Sequence, residues 1–169
     1  RRAGCAGGDR SAARPGAGDG VSAGRCRRGK DDPIRILQMH GTFSHGGKEA
    51  RVVRLMNHWG ARATHDILLG HPEEIGAAGA IDPGVTYRIL GEPPLGGSPT
   101  LGKFRALANF MRGYDLILSF NWGAMDGVMA HRLLRRIKGL PPLIHHEDGF
   151  NADEALARDP LRNRYRQIA

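Results

Sequence analysis

Cysteine is scarce: the 169 residues contain two, Cys5 and Cys26, so a disulfide scaffold is not expected. Long apolar runs are missing too. The longest are a few residues, as in Leu116–Ile117–Leu118, which excludes a membrane-spanning helix. No G-x-G-x-x-G fingerprint, P-loop or H-E-x-x-H motif occurs, so the dinucleotide, P-loop nucleotide and zincin readings lose support. Residues 1–30 hold no Leu, Ile, Phe, Trp or Tyr, and such a segment cannot bury enough apolar surface to offset the entropy of ordering it.

What is present is charge, unevenly placed. The net charge of +8 suggests nucleic acid or an anionic membrane at first sight. Residues 1–30 carry eight Lys/Arg against two Asp, whereas the rest carries 17 against 15. Residues 1–32 are therefore expected to be a disordered basic Gly/Ala/Arg-rich tail, and residues 33–169 the folded domain. The first methionine, Met39, lies inside the first predicted strand, so a native start is expected upstream of Pro33.

From Pro33 strands alternate with helices or long crossovers. Residues 34–39, 65–69, 85–90, 115–120 and 143–146 read as strands. The period is helical after Lys48, where Val52, Leu55, Met56 and Trp59 share a face that Gly60 closes. Thr100 can cap a helix whose apolar face is Leu101, Phe104, Leu107, Ala108 and Met111. Asn121 can cap another that runs to about Lys138, with Arg132, Arg135, Arg136 and Lys138 in its last turns. Residues 153–169 look helical. The alternation predicts an α/β fold: a doubly wound, mostly parallel, Rossmann-like sheet with strands 1 and 4 adjacent and a ligand crevice at their carboxyl ends.

Polar residues gather at that edge. Gly46–Gly47 precedes a helix, where free amides favour an anion such as a diphosphate; a plain strand–helix turn would look the same. His145, His146, Glu147 and Asp148 alternate in direction, so at most two or three converge. With His40 and His45, His146 and Asp148 could form the metal centre of a hydrolase or deacetylase, though the spacing does not call for one. Asn121 and Trp122 can offer a sugar hydrogen bonds and a stacking plane, or serve as cap and packing. Lys103, Arg105 and Arg112 with Phe104 and Phe110 could touch a membrane surface, or belong to an ordinary amphipathic helix. A nucleic-acid-binding module acting through the basic tail is a third possibility.

Three segments, in order, carry a resemblance: Ser44–His45–Gly46–Gly47–Lys48–Glu49 leading into residues 51–55; residues 114–124, which include Asn121–Trp122–Gly123; and residues 145–154, which open on His145–His146–Glu147–Asp148. Together they resemble the N-terminal domain of bacterial family 4 glycosyltransferases, which have the GT-B fold of two facing Rossmann-like domains. The resemblance implies transfer of a sugar from a nucleotide-sugar donor to a glycan or lipid-linked acceptor, with retention and with no required metal or cofactor. It gives Gly46 and Gly47 the donor diphosphate, His45, Asn121 and Trp122 the acceptor, and His146, Glu147 or Asp148 a sugar hydroxyl. The family often has a histidine where Asp148 stands. The expected setting is cytoplasmic polysaccharide or glycolipid assembly, with peripheral contact at the inner membrane face and no specific nucleic-acid partner. The donor site of the family lies mostly in its C-terminal domain, so the chain is expected to be one half of a longer enzyme and nearly inactive alone.

Overall fold

The computed structural model describes residue 29, residues 32–148 and residues 159–169. The expected tail therefore lies almost wholly outside the described residues, as do residues 149–154 of the third matching segment. Five strands, β1 (Ile34–His40), β2 (Ala63–Leu69), β3 (Thr86–Leu90), β4 (Leu116–Phe120) and β5 (Leu143–His146), form one sheet in the order β3-β2-β1-β4-β5. Every pairing is parallel. This is the expected doubly wound arrangement, with β1 and β4 adjacent.

Helices cover both faces. α1 (Gly47–Trp59) lies on one face, where Val52, Val53 and Met56 meet Ile67, Leu69 and Phe120. α2 (Leu101–Met111) and α3 (Met125–Lys138) cover the other, where Phe104, Leu107, Met111 and Met129 meet Leu37, Met39, Leu68 and Ile117. Each such fully buried side chain contributes about 1.5–3 kcal/mol. α4 (Pro160–Ile168) falls within the helix expected over 153–169, of which residues 153–158 lie outside the described residues. Residues 76–80, unpatterned in sequence, form a short 3-10 turn.

The helix ends follow their chemistry. Thr100 Oγ1 accepts from the Lys103 amide at 3.2 Å. Asp159 Oδ1 accepts from Leu161 and Arg162 ahead of Pro160. Gly139 closes α3 in the left-handed region. Three expectations need correction. Asn121 does not cap: a 3-10 turn, Trp122–Ala124, comes first, and α3 starts at Met125. Leu101, the first residue of α2, and Leu55 face solvent rather than the core, and α1 presents Val53 inward in place of Leu55. Of the five residues that could touch a membrane surface, Lys103 and Phe104 point into the fold, as in an ordinary amphipathic helix.

A polar cluster fastens β2 to β3. The Asp66 carboxylate accepts from Arg88 Nε at 2.8 Å, from Arg88 Nη2 at 2.5 Å and from Tyr114 Oη at 2.7 Å. Burial alone would raise the Asp66 pKa, but the hydrogen bonds from Arg88 and Tyr114 outweigh it and the net shift is downward. Tyr114 is buried, whereas Arg88 is 70% exposed. Removing a hydrogen bond to a buried charge costs about 1.5–3 kcal/mol. Tyr114→Phe should therefore lower stability in urea unfolding by about 2 kcal/mol, and Arg88→Met by at least as much, since it removes two hydrogen bonds from the same buried carboxylate.

Candidate functional site

The carboxyl ends of β1, β4 and β5 share one edge of the sheet, where a doubly wound fold has its ligand crevice, and the loop that turns β1 into α1 stands at that edge. Gly46, in extended conformation, and Gly47, the first residue of α1, are both exposed. A Cβ on Gly47 would meet nothing within 4 Å, so its outer face is open. The first amides of the helix have no intrahelical carbonyl, and the helix dipole makes this end favourable to anions.

That end already holds charge of the protein's own. Glu49 is buried, and its Oε2 lies 2.7 Å from where a Gly46 Cβ would stand. Its Oε1 lies 2.8 Å from Lys48 Nζ. An acid at the third helical position is favourable there for the same reason that an anionic ligand would be. One turn on, Arg51 donates to the Asp148 carboxylate beyond β5. That hydrogen bond, ahead of the opposing effect of burial, holds the Asp148 pKa below its ordinary value, and His146 adds to it from 3.7 Å. The side chains of Lys48, Glu49, Arg51 and Asp148 balance in charge. An arriving anion therefore gains its hold from the backbone amides more than from excess positive charge.

His146 and Asp148 meet on the α1 side, and Asn121 belongs with them. Its Oδ1 accepts from the Asp148 amide at 2.7 Å, while its own amide donates to the His146 carbonyl. These bonds take Asn121 out of capping and hold it at φ 54°. The His146 ring lies 5.9 Å from that of Phe120, and Phe120 stacks at 4.3 Å on the buried His40.

The remaining predicted residues lie elsewhere. Glu147 turns to the opposite face, as strand alternation requires, and accepts from Arg166 at 3.1 Å. It also lies 3.0 Å from His145 Nε2, and His145 Nδ1 lies 2.9 Å from the buried Ser119 Oγ. Trp122 is half-buried, with Arg162 and Arg166 5.0 and 5.3 Å from its ring centre and Tyr165 at its edge. His45 leans toward the 3-10 turn between β2 and β3, its ring 3.0 Å from where a Gly76 Cβ would stand. The ring partners of Trp122 and the Arg51–Asp148 pair escape a reading of the sequence because they join segments about a hundred residues or several elements apart.

Among the described residues, the one group of three His or acidic side chains close enough to share a metal is His71, Glu73 and Glu74, all exposed after β2. It includes none of His40, His45, His146 and Asp148. No helix of the described residues is long and apolar enough to cross a membrane.

Strand order, parallel pairing and helices on both faces make this a Rossmann-like α/β domain with polar residues at its carboxyl edge. The chain matches no family model and no curated protein.

Proposed function

We propose that residues 33–169 form the acceptor-side domain of a family 4 glycosyltransferase, which moves a sugar from a nucleotide-sugar donor to a glycan or lipid-linked acceptor. The observation that carries this reading is the diglycine at the open start of α1, beside the end of β1 and joined through Arg51 to Asp148 after β5. In the reaction, the amides of Gly46 and Gly47 hold the diphosphate leaving group. His146 and Asp148 orient a hydroxyl of the transferred sugar, with Arg51 and Asn121 fixing Asp148. The acceptor enters beside Asn121, which of the three expected acceptor residues is the one that stands with His146 and Asp148. Glu147 acts at a distance, by anchoring His145 and Arg166. Transfer requires a second, donor-binding domain to close over the crevice, because both reactants must be oriented together.

The test is amide chemical-shift mapping of the full chain with uridine diphosphate and with inorganic pyrophosphate. The expected shifts fall on Gly46, Gly47 and Lys48. Gly47→Val places its side chain in open space, so the fold should persist while the closest ligand approach is lost. Binding should weaken by about tenfold, or roughly 1.4 kcal/mol. Shifts confined to other residues, or a Gly47→Val chain that binds as the parent does, would overturn the assignment.

A further inference from the structure

On the side of the sheet away from α1 lies a second polar group. Ser119 Oγ on β4 is 2.9 Å from His145 Nδ1 on β5, and His145 Nε2 is 3.0 Å from Glu147 Oε2. With Nδ1 accepting from the hydroxyl, Nε2 donates to the carboxylate. The order of groups is that of a serine nucleophile, its base and an orienting acid. Ser119 is fully buried, so its hydroxyl cannot meet a substrate, and the chain of bonds serves to hold Glu147 in place. The other oxygen of Glu147 accepts from Arg166 Nη2 of α4 at 3.1 Å. The same guanidinium stands 5.3 Å from the ring centre of Trp122. In the chain Glu147 precedes Asp148 and Trp122 follows Asn121, and the Asp148 amide donates to Asn121 Oδ1. Arg166 therefore touches the chain neighbour of each partner in that bond.

α4 itself is lightly seated. None of its residues is buried; Tyr165 packs against the core, whereas Leu161 and Ile168 are exposed. Tyr165 Oη donates to Asp126 Oδ1 at 2.7 Å. A helix of nine residues is marginal by itself in water, so its order depends on this seat. We propose that Arg166 is a positioning residue of the crevice and that α4 is a polar latch: when seated, it holds the loops after β4 and β5 together so that Asn121 meets Asp148. The latch rests on geometry alone, and on the glycosyltransferase reading only for what Asp148 then orients, a sugar hydroxyl. With α4 lifted, Glu147 loses its cation and Trp122 loses its contact, and both loops gain freedom. The coupling is reciprocal, so a ligand that needs Asp148 in place also favours the seated helix.

The test is amide hydrogen exchange of the full chain, followed residue by residue, in Arg166→Met and Arg166→Lys. Methionine keeps a long side chain over Trp122 and loses the charge, whereas lysine keeps the charge. Exchange at Asp148 should be faster by on the order of tenfold in Arg166→Met, with the amides of β1 and β2, which report global unfolding, unchanged. Arg166→Lys should regain most of the protection. Glu147→Gln, which weakens the same contact from the other side, should act as Arg166→Met does and takes its place should that chain not fold. Unchanged exchange at Asp148, or acceleration spread evenly over the domain, would overturn the proposal, as would an Arg166→Lys chain that exchanges as fast as Arg166→Met. Inorganic pyrophosphate added to each chain keeps the two readings apart: shifts at Gly46 and Gly47 report on the diphosphate site, and exchange at Asp148 on the latch.

Discussion

Stability should fall steeply as pH drops from about 6.5 to 4, before most carboxylates titrate. Two buried histidines cause this. His65 on β2 is 1% exposed, stacked on Trp59, and accepts at Nδ1 from Gln38 Nε2 at 3.0 Å. His40 on β1 is fully buried between Phe43 and Phe120, and its Nε2 donates to Gln38 Oε1 at 3.3 Å. Gln38 thus fixes one tautomer on each side, and the remaining nitrogens, His40 Nδ1 and His65 Nε2, have no hydrogen-bond partner among the described residues. A second proton on His65 would have to sit at Nδ1 and face the N–H of Gln38.

Burial lowers the His65 pKa to about 4, against a small opposing pull from Asp66. Burial, with help from Lys48, drives His40 well below its ordinary value. Both groups gain a proton on unfolding in the range between the folded value and 6.5. The unfolded chain then binds more protons, so stability is fully present above 6.5 and is lost as pH falls. For His65 the loss is complete near pH 4 and amounts to about 3 kcal/mol. His40 adds in the same direction. Against a typical stability of about 5–15 kcal/mol this is a large share. Urea unfolding at several pH values measures it. His65→Gln, which keeps a polar partner for Gln38 and cannot be protonated, should flatten the curve between pH 6.5 and 4 even if it is less stable at neutral pH. An equally steep curve in that variant would show that His65 is not the source.

Parts of this network were legible in the sequence and parts were not. The strands were, because β1, β2 and β4 are short apolar runs closed by Gly, Asp or Asn, and a parallel order follows from the crossovers between them. The division of His145–Asp148 between two faces follows from strand alternation alone. Helix faces were legible to within about one residue. Leu55 has the right period for the core of α1, but the helix is turned so that Val53 meets the sheet and Leu55 meets water. Asn121 shows a deeper limit. Its side chain suits a cap or a loop brace equally well, and only the arrival of the Asp148 amide decides between them. Likewise Lys103 reads as a surface cation. It is nearly buried because Gly96 and Gly97 offer carbonyls and Asp126 a carboxylate, from segments whose meeting depends on the whole fold.

The same reasoning makes Gly123→Ala the most disruptive single-methyl change at the crevice. Loops after β1, β2 and β4 meet there backbone against backbone. A Cβ on Gly123 would lie 2.5 Å from Gly41 Cα and 2.8 Å from Gly41 N. One on Gly70 would lie 3.2 Å from the Gly41 carbonyl oxygen. The neighbours are main chain, and Gly41 is held in turn by the His71 amide, which donates to its carbonyl at 2.9 Å. No side chain can swing aside, so the β4 loop must move, at a cost of up to about 3 kcal/mol. That loop carries Asn121, and its displacement would pull on the bond to the Asp148 amide and so on the arrangement of Arg51, Asp148 and His146. Thermal unfolding should show a midpoint lower by roughly 10 °C, with the Asp148 amide losing protection from hydrogen exchange. Gly47→Ala, whose methyl meets nothing within 4 Å, is the control and should leave both unchanged. If Gly123→Ala unfolds at the parent temperature with Asp148 still protected, then the close approach of the β1 and β4 loops does not constrain the crevice.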